Sequence, residues 1–415
     1  MRLLHVSDWH LGRETDGASR RPDHEATLAE IVAIARDFRP HLVVHTGDVF
    51  DSPHPGADDI DLAFAILQEL ADLAPVEVIA GNHDGASFFR SLTRVQGRQR
   101  RIRLVDQPRH HAEGGVVEYP GESGEVIRLA TLPFVHAGRG VLIDRFSVAS
   151  SWHAQYADGI REVAQMLGEG LAAGYDSARH VLVFAAHLHI AGAVPSGTER
   201  RSHVTDAYAA QAASIPPVTY AAFGHIHKPQ RLPGAIEAYY AGSPIPIDFG
   251  EEGEEKSVVL VEASPGRPAS IRTVPLRRGR ALRSVRGTLS DIAAIAPHVG
   301  NALCRVVVQT ESLTPHLSEA VHDLLPDATI LSVSEDCTAT RVHPLSAEDT
   351  PAGAEDSLPS LFREFLAGVK VKNARAEKVL GAFDVLIGRG AEEAPIPFPE
   401  ERVLEGIQAP GKAES

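Results

Sequence analysis

The sequence predicts a layered α/β fold. Three short apolar runs in the first third of the chain, RLLHVS, HLVVHTG and VEVIAG, have the length and composition of buried strands. Apolar positions at helical spacing separate them, starting at Leu28 and Ile31 in the first gap and at Ile60 and Phe64 in the second. Strands that alternate with helices are typical of a mainly parallel sheet covered by helices.

Each predicted strand ends in a polar cluster, SDWH, GDVFD or GNHDG, and two later runs, HVLVFAAHLH and TYAAFGHIH, end in histidines. In open α/β sheets ligands bind outside the carboxyl ends of the strands, so these clusters should converge. A single histidine behind a strand is more often a packing residue than a ligand, but the joint occurrence indicates a divalent metal site with nitrogen and oxygen ligands. The candidate residues are Asp8, His10, Asp48, Asn82, His83, Asp84, His187, His225 and His227.

The spacing within the clusters has a physical reason. Side chains two positions apart in an extended segment point to the same face, so Asp8 and His10 can reach one centre or two neighbouring centres, as can His225 and His227. A glycine precedes the key residues in GD, GN and GH, where a sharp turn off the strand favours a residue without Cβ. The residues that follow the first strand are therefore expected to supply part of a metal-binding site.

The chain of 415 residues is too long for one compact core. We expect the α/β core over residues 1–275, followed by a small β-α-β-α-β capping domain that contacts the substrate over 276–345. A linker is predicted at 346–356, two short amphipathic helices at 357–390 and a disordered tail at 391–415. The two helices are expected to bind a partner, the alternative being that they pack on their own chain.

Charge composition limits how nucleic acid could bind. Forty basic against 55 acidic side chains give a net charge of −15, so any contact with DNA must use local patches. Residues 85–105 and 267–290 are rich in arginine and contain no acid. The first patch supplies the candidate DNA contacts Arg90, Arg94, Arg98, Arg100, Arg101 and Arg103. The alternative for both patches is a solvated face that offsets acidic neighbours.

Location and redox state follow from what the sequence contains. Asp8 interrupts the N-terminus before a signal-peptide core could form, and no run of about 18 apolar residues occurs, so a cytoplasmic protein without membrane contact is expected. Cys304 and Cys337 lack the spacing of a zinc site and are expected to be unpaired.

The motifs together resemble a known superfamily. D8-x-H10, G47-D48-x-x-D51, G81-N82-H83-D84, His187 and G224-H225-x-H227 are similar, in order, to the five signatures of the calcineurin-like metallophosphoesterases. GDVFD, FGHIHKPQ and AGSPIPIDFGE also resemble bacterial exonucleases that are counterparts of the eukaryotic double-strand-break repair nuclease. This resemblance covers residues 1–275 strongly and the rest of the chain by domain pattern only.

The resemblance implies two divalent ions, with manganese as the expected metal. The first ion would be held by Asp8, His10, Asp48 and His227, and the second by Asp48, Asn82, His187 and His225. The fourth signature departs from the family pattern, because AAHLHIAG has alanine where the family has glycine. His187 fits better than His189, but both remain candidates.

The resemblance also implies a reaction. Two dications exceed the charge of two carboxylates, which favours an anionic substrate such as a phosphodiester. His83 would face the scissile phosphate and either donate a proton to the leaving sugar oxygen or stabilise the transition state. Asp84 would orient an imidazole rather than bind metal.

The family implies a DNA nuclease with double-strand 3′ to 5′ exonuclease and single-strand endonuclease activity, acting as a homodimer within a heterotetramer. The chain has no GxxxxGK[ST] loop, so a coiled-coil ABC-type ATPase partner would supply ATP binding. Two alternatives remain. One is a small-molecule or protein phosphoesterase. GNHD in place of a glutamate after GNH disfavours a protein phosphatase, and the extra length after residue 275 disfavours a cyclic-nucleotide hydrolase. The other is a catalytically silent protein that binds DNA ends, which the full set of ligand residues disfavours.

Overall fold

The computed structural model describes residues 1–96, 101–135, 152–199, 209–340, 362–363, 365–366 and 377–383. The chain divides into two compact units, residues 1–341 and 342–415. None of the helices in the described ranges is long and apolar enough to cross a membrane.

The first sheet of unit 1 has six strands, and its centre is parallel. In spatial order the strands are β14 (Ser270–Pro275), β13 (Ser257–Glu262), β1 (Arg2–Val6), β4 (Leu42–His45), β5 (Val76–Ile79) and β6 (Ile102–Val105). Strands β1, β4, β5 and β6 run in the same direction, whereas at one side β13 is antiparallel to β1 and β14 is antiparallel to β13. The carboxyl ends of β1, β4 and β5 therefore lie at one edge.

The second sheet also has six strands with a parallel centre. Its order is β11 (Gln230–Arg231), β12 (Ala238–Tyr240), β10 (Tyr220–Gly224), β9 (His180–His187), β8 (Val126–Leu132) and β7 (Val116–Pro120). The strands β9 and β10, which the sequence predicted to end in histidines, are parallel neighbours in which Gly224 is paired with His187. Their polar ends therefore lie side by side.

Three hydrophobic clusters hold the two sheets and their helices in four layers. The inner cluster joins Leu3 and Val44 of the first sheet to Val183 and Ala222 of the second. The outer face of the first sheet packs on helices α1 (Arg21–Phe38), α2 (Ala57–Leu73) and α3 (Ala86–Gln96). The outer face of the second sheet packs on α4 (Trp152–Ala172). The prediction of a layered α/β core is confirmed, with its strands divided between two sheets.

A third, three-stranded sheet follows the core. The parallel strands β15 (Leu282–Gly287), β16 (Leu303–Thr310) and β17 (Thr329–Cys337) alternate with α5 (Leu289–Val299) and α6 (Leu317–Leu324). These are the five elements that the sequence predicted. They bury a cluster of their own. Because they belong to the same compact unit as the core, a separate capping domain over 276–345 stays a prediction.

A short hairpin precedes α1. It consists of β2 (Glu14–Thr15) and β3 (Ala18–Ser19), and it connects the end of the first polar cluster to the helix.

Little of the predicted C-terminal organisation falls in the described residues. Within unit 2, residues 362–363, 365–366 and 377–383 are helical, and the Phe362 and Phe383 rings stack 3.9 Å apart. The remaining residues of the predicted helices, and all of the predicted linker and tail, lie outside the described residues.

Candidate metal centre

Four residues at the strand ends have unusual backbone conformations. Asp8, His10 and Asp48 have φ values of 50°, 49° and 53°, and His225 has a φ of 101°. Left-handed conformations are uncommon outside glycine and occur often at functional sites. Backbone hydrogen bonds keep the turns in place, since the Asp8 amide donates to the Gly47 carbonyl at 2.9 Å and the His10 amide to the Asp48 carbonyl at 3.0 Å.

The three glycines before the clusters are needed for two different reasons. Gly47 has a φ of 104°, so it makes the predicted sharp turn. Gly81 is needed for close packing instead, because a Cβ there would collide with the carboxylate of Asp48. At Gly224 a Cβ would collide with the Thr46 carbonyl.

One group of predicted ligands surrounds the end of β1. Asp8, His10 and His227 are buried, and each offers a ligand atom within 4.8 Å of the others. The Nε2 atom of His10 lies 3.6 Å from Oδ2 of Asp48. These four residues are the predicted ligands of the first ion.

A second group meets the first at Asp48. The amide oxygen of Asn82 lies 3.0 Å from Nε2 of His187 and 2.7 Å from Nδ1 of His225. Oδ2 of Asp48 lies 3.4 Å from Nε2 of His187. The structure therefore brings all seven predicted ligands together, with Asp48 between the two groups.

The orientation of the His187 ring distinguishes it from His189 as a candidate ligand. His187 donates from Nδ1 to the Thr46 carbonyl at 2.8 Å, which directs Nε2 to Asp48 and Asn82. Among the described residues, the groups of possible metal ligands include His187 and not His189.

Other imidazoles of the centre are also held from behind. Nδ1 of His10 lies 3.2 Å from the Asp51 carboxylate, and Nδ1 of His227 lies 3.0 Å from the Glu251 carboxylate. Sequence reasoning missed both acids as orienting groups. Asp51 carries a signal, because it completes the G47-D48-x-x-D51 motif. Glu251 ends the quoted motif AGSPIPIDFGE but shows no spacing relation to a ligand.

The orienting role expected for Asp84 is wrong. Its carboxylate accepts hydrogen bonds from the backbone amides of Gly81 at 2.9 Å, Phe50 at 3.1 Å and Val49 at 3.3 Å. Asp84 thus ties the loop after β5 to the loop after β4. Burial, together with the charge of nearby Asp48, raises its pKa to about 7.

Burial and close charges shift the pKa values of the ligands in opposite directions. Burial raises the pKa of Asp8 to about 6 and lowers that of His10 to about 4. Burial would also raise the pKa of Asp48, but the charges of His187 and His83 hold it well below the usual range. The pKa of His187 rises to about 9 because Asp48 outweighs the effect of burial. Burial thus favours the neutral form of Asp8, whereas the neighbouring imidazoles favour the charged form of Asp48.

His83 lies at the edge of the centre, where it, His10 and Asp48 each offer a ligand atom within 4.8 Å of the others. Its amide donates to Oδ1 of Asp48 at 2.7 Å, and its Nδ1 donates to the Asp51 carbonyl at 2.8 Å. The His83 ring is 4.7 Å from the His10 ring between centroids, and its side chain is 12% exposed. His83 is therefore fixed by its backbone and one ring nitrogen, and it is the partly exposed histidine at the centre.

The donor set fits divalent metals. Asp8, His10, Asp48 and His187 supply imidazole nitrogens and carboxylate oxygens, the ligands that intermediate divalent ions prefer. Nε2 of His10 is buried and has no hydrogen-bond partner among the described residues, while its Nδ1 is engaged by Asp51. Such an imidazole has its lone pair directed at the site, which is the arrangement that a carboxylate behind a ligating histidine produces at metal centres.

The candidate DNA-contacting arginines do not form one free patch. Arg103 is paired with the fully buried Glu77 and also donates to the Gly114 carbonyl, so its guanidinium already has protein partners. Arg90 pairs with Asp106 at 2.9 Å. Arg101 donates to the Asp72 carbonyl at 3.3 Å.

The other candidates differ in what the structure describes. Arg94 is exposed on α3. Arg98 and Arg100 lie outside the described residues.

Comparison with known proteins identifies the fold and the chemistry. The family model of the calcineurin-like phosphoesterases matches residues 1–229. The chain belongs to the calcineurin-like phosphoesterases. Within this family it groups with the D components of SbcCD nucleases, since it is 33% identical to the D component of the nuclease SbcCD from Bacillus subtilis over 68% of this chain and 71% of that one.

Further relatives agree with this grouping. The protein of the same name from Escherichia coli K12 is 27% identical over 71% of this chain and 73% of that one. A solved dimetal phosphatase from Danio rerio has a TM-score of 0.37 and 12% identity over 66% of this chain and 98% of that one, which is too slight a likeness to bear on the site. As a calcineurin-like phosphoesterase of the SbcCD group, the chain is a divalent-metal-dependent phosphodiesterase of the nuclease type.

Proposed function

We propose that the chain is a two-metal DNA nuclease, with 3′ to 5′ exonuclease activity on double strands and endonuclease activity on single strands. The observation that carries the proposal is the meeting of two ligand groups at Asp48, with His83 held against Asp48 by its amide. The identity to a nuclease component over 68% of the chain supports DNA as the substrate.

The proposed ligand sets follow the two groups. Asp8, His10, Asp48 and His227 would hold the first ion, and Asp48, Asn82, His187 and His225 the second. Manganese suits this mixture of nitrogen and oxygen ligands. Two divalent ions, when bound, would polarise the phosphoryl oxygens and lower the pKa of water at the site.

The residues of the chain would carry the proton. Nδ1 of His83 is engaged by the Asp51 carbonyl, so Nε2 is the nitrogen that can donate a proton to the leaving sugar oxygen. Asp51 would position two groups at once, because its carboxylate contacts the His10 ring and its carbonyl contacts the His83 ring. His83 is partly exposed, as a group that must reach a polymer substrate has to be.

A radiolabelled DNA duplex incubated with the full chain and Mn²⁺ tests the proposal. His83→Ala should slow cleavage by about 10²–10⁴-fold, the usual contribution of a general acid, and should leave Mn²⁺ loading unchanged. His322→Ala, at an exposed histidine on α6, serves as the matched control and should cleave at the wild-type rate.

The same assay separates the alternatives. If the duplex stays intact while an aryl phosphodiester is cleaved, the chain is a small-molecule phosphodiesterase. If neither is cleaved although Mn²⁺ and DNA both bind, it is a silent protein that binds DNA ends.

The biological setting is proposed from the relatives. Their names describe one component of a two-component nuclease, so we expect an SbcC-like coiled-coil ABC ATPase to bind residues 357–390, in a heterotetramer built on a homodimer of this chain. The assembly would act in the cytoplasm on DNA ends during repair, recombination and replication. Coexpression with such an ATPase should give copurification that deletion of 357–390 abolishes.

A further inference from the structure

A buried ion pair next to His227 has no part in the ligand sets above. Nζ of Lys256 lies 2.7 Å from Oε2 of Glu251, and the two side chains are 3% and 0% exposed. Taking both charges out of water opposes folding, so such a pair is weak evidence for a purely stabilising role. What the pair contacts indicates another role.

Both members of the pair bind His227. Oε1 of Glu251 accepts a hydrogen bond from Nδ1 of the His227 ring at 3.0 Å. Nζ of Lys256 donates to the His227 carbonyl at 3.0 Å. The pair therefore holds the ring and the main chain of the same residue.

The remaining backbone atom of His227 is held by a second acid. Its amide donates to Oε1 of Glu199 at 3.0 Å, and the Ser243 amide donates to its carbonyl at 3.0 Å. His227 is thus fixed at its amide, its carbonyl and one ring nitrogen by residues from three separate segments.

Glu251 is itself prevented from rotating. The Ile247 amide donates to its Oε2 at 3.2 Å, the Ser243 hydroxyl lies 3.4 Å from the same oxygen, and the Thr198 hydroxyl donates to Oε1. A carboxylate with this many donors keeps one orientation. It therefore fixes which ring nitrogen of His227 carries the proton.

The tautomer is the functional consequence. A proton on Nδ1, directed at Glu251, leaves Nε2 of His227 with the lone pair that a metal needs. The centroids of the His227 and His10 rings are 4.8 Å apart. Asp8, His10 and His227 together form one group of possible metal ligands. The acceptor behind Nδ1 thus presents Nε2 to the first ligand group.

We propose that Glu251 and Lys256 are positioning residues that fix the orientation and tautomer of His227, so that the first metal position is formed before the ion arrives. The identity of the ion in this proposal rests on the proposed function, whereas the tautomer of His227 does not. It also assigns a role to the segment AGSPIPIDFGE, which supplies Ser243, Ile247 and Glu251.

The metal-free protein gives the first test. In the full chain labelled with ¹⁵N-histidine, the ring shifts of His227, assigned by comparison with His227→Asn, should place the proton on Nδ1. Glu251→Leu/Lys256→Met, which removes both charges without leaving one buried alone, should fold with a melting temperature near that of the wild type and should distribute the proton over both nitrogens. A proton on Nε2 in the wild type, or an unchanged tautomer in the double variant, overturns the proposal.

Mn²⁺ titration followed by electron paramagnetic resonance gives the second test. The double variant should weaken one of the two binding steps by about 10–100-fold and leave the other within about twofold. Glu251→Gln, which keeps an acceptor but no charge, should give an intermediate loss.

The matched control for this titration is Glu254→Gln. Glu254 contacts Lys256 at 3.0 Å, so the control perturbs the lysine and leaves the ring contact of His227 intact, and both steps should stay unchanged. If the double variant weakens both binding steps equally, or binds with wild-type affinity at both, Glu251 and Lys256 do not position His227 for one metal position. If tautomer and titration behave as expected but DNA is not cleaved, the proposed function fails and the positioning role stands.

Discussion

At the scale of residues, Asp48 joins the two ligand groups. Its Oδ2 faces His10 at 3.6 Å and His187 at 3.4 Å, and its Oδ1 accepts the amide of His83 at 2.7 Å. Gly81 packs so closely against this carboxylate that a methyl group would displace it. One side chain therefore contacts both ligand groups and the backbone of His83.

Asp48→Ala should abolish Mn²⁺ binding at both positions, because each group loses the same carboxylate. Elemental analysis after gel filtration would measure this as a drop from about two ions per chain to none. Asp61→Ala, at an exposed aspartate on α2, should retain the wild-type stoichiometry. Two ions in the Asp48 variant would refute the shared-ligand assignment.

At the scale of elements, the third sheet is joined to the core through buried charge. The guanidinium of Arg20, which is 0% exposed, donates to Asp23 at 2.8 Å and to the Pro246 carbonyl at 2.6 Å. Asp23 also accepts from Arg280, which precedes β15, at 2.9 Å. The start of α1 thus anchors the segment that leads to the third sheet.

Asp23→Asn should lower the free energy of unfolding by about 3–5 kcal/mol at pH 7, because it leaves Arg20 buried without its carboxylate. Burial would raise the pKa of Asp23, but hydrogen bonds from Arg280 and Arg20 hold it below the usual value. The stabilisation is therefore complete above about pH 4 and is lost as the pH falls through the lower pKa of the folded state.

Urea unfolding at several pH values measures this effect. The difference between wild type and Asp23→Asn should be equal at neutral and mildly acidic pH and should decrease in stronger acid. Asp37→Asn, at an exposed aspartate on the same helix, should change stability by less than about 0.5 kcal/mol. A difference that grows as the pH falls would contradict the lowered pKa of Asp23.

At the scale of the whole molecule, a net charge of −15 has to be reconciled with a polyanionic substrate. Long-range repulsion weakens non-specific binding to DNA, so affinity must come from local contacts. Of the arginines proposed for this purpose, Arg103 already pairs with Glu77, whereas Arg94 is exposed. The two arginines should behave differently on substitution.

Arg94→Ala should reduce the slope of log affinity against log salt by about one unit, as expected for one lost phosphate contact. Arg103→Ala should leave the slope unchanged but lower the free energy of unfolding by about 3–5 kcal/mol, because Glu77 stays buried without its cation. Fluorescence anisotropy with labelled DNA from low to high salt, and urea unfolding, measure the two effects. An unchanged slope for Arg94→Ala would show that Arg94 does not contact phosphate and is part of a solvated surface.

The sequence by itself determined the chemistry of the site. The alternation of apolar runs and helical stripes, and the types of residue behind each run, are local patterns. In open α/β sheets ligands bind outside the carboxyl ends of the strands, so residues that follow different strands are expected at the same edge of the sheet. For this reason Asp8, His10, Asp48, Asn82 and the later histidines could be predicted to converge.

Only the tertiary structure decided which groups hold that chemistry in place. The orientation of the His187 ring depends on the Thr46 carbonyl, 141 residues away in the chain, and the pairing of Arg103 depends on Glu77. The bond between Asp84 and the Phe50 amide, the contact of Glu251 with His227 and the division of the strands between two sheets are likewise set by residues well apart in the chain. Local periodicity carries no information on such contacts, because they form only when strands pair and the sheets pack in the folded chain.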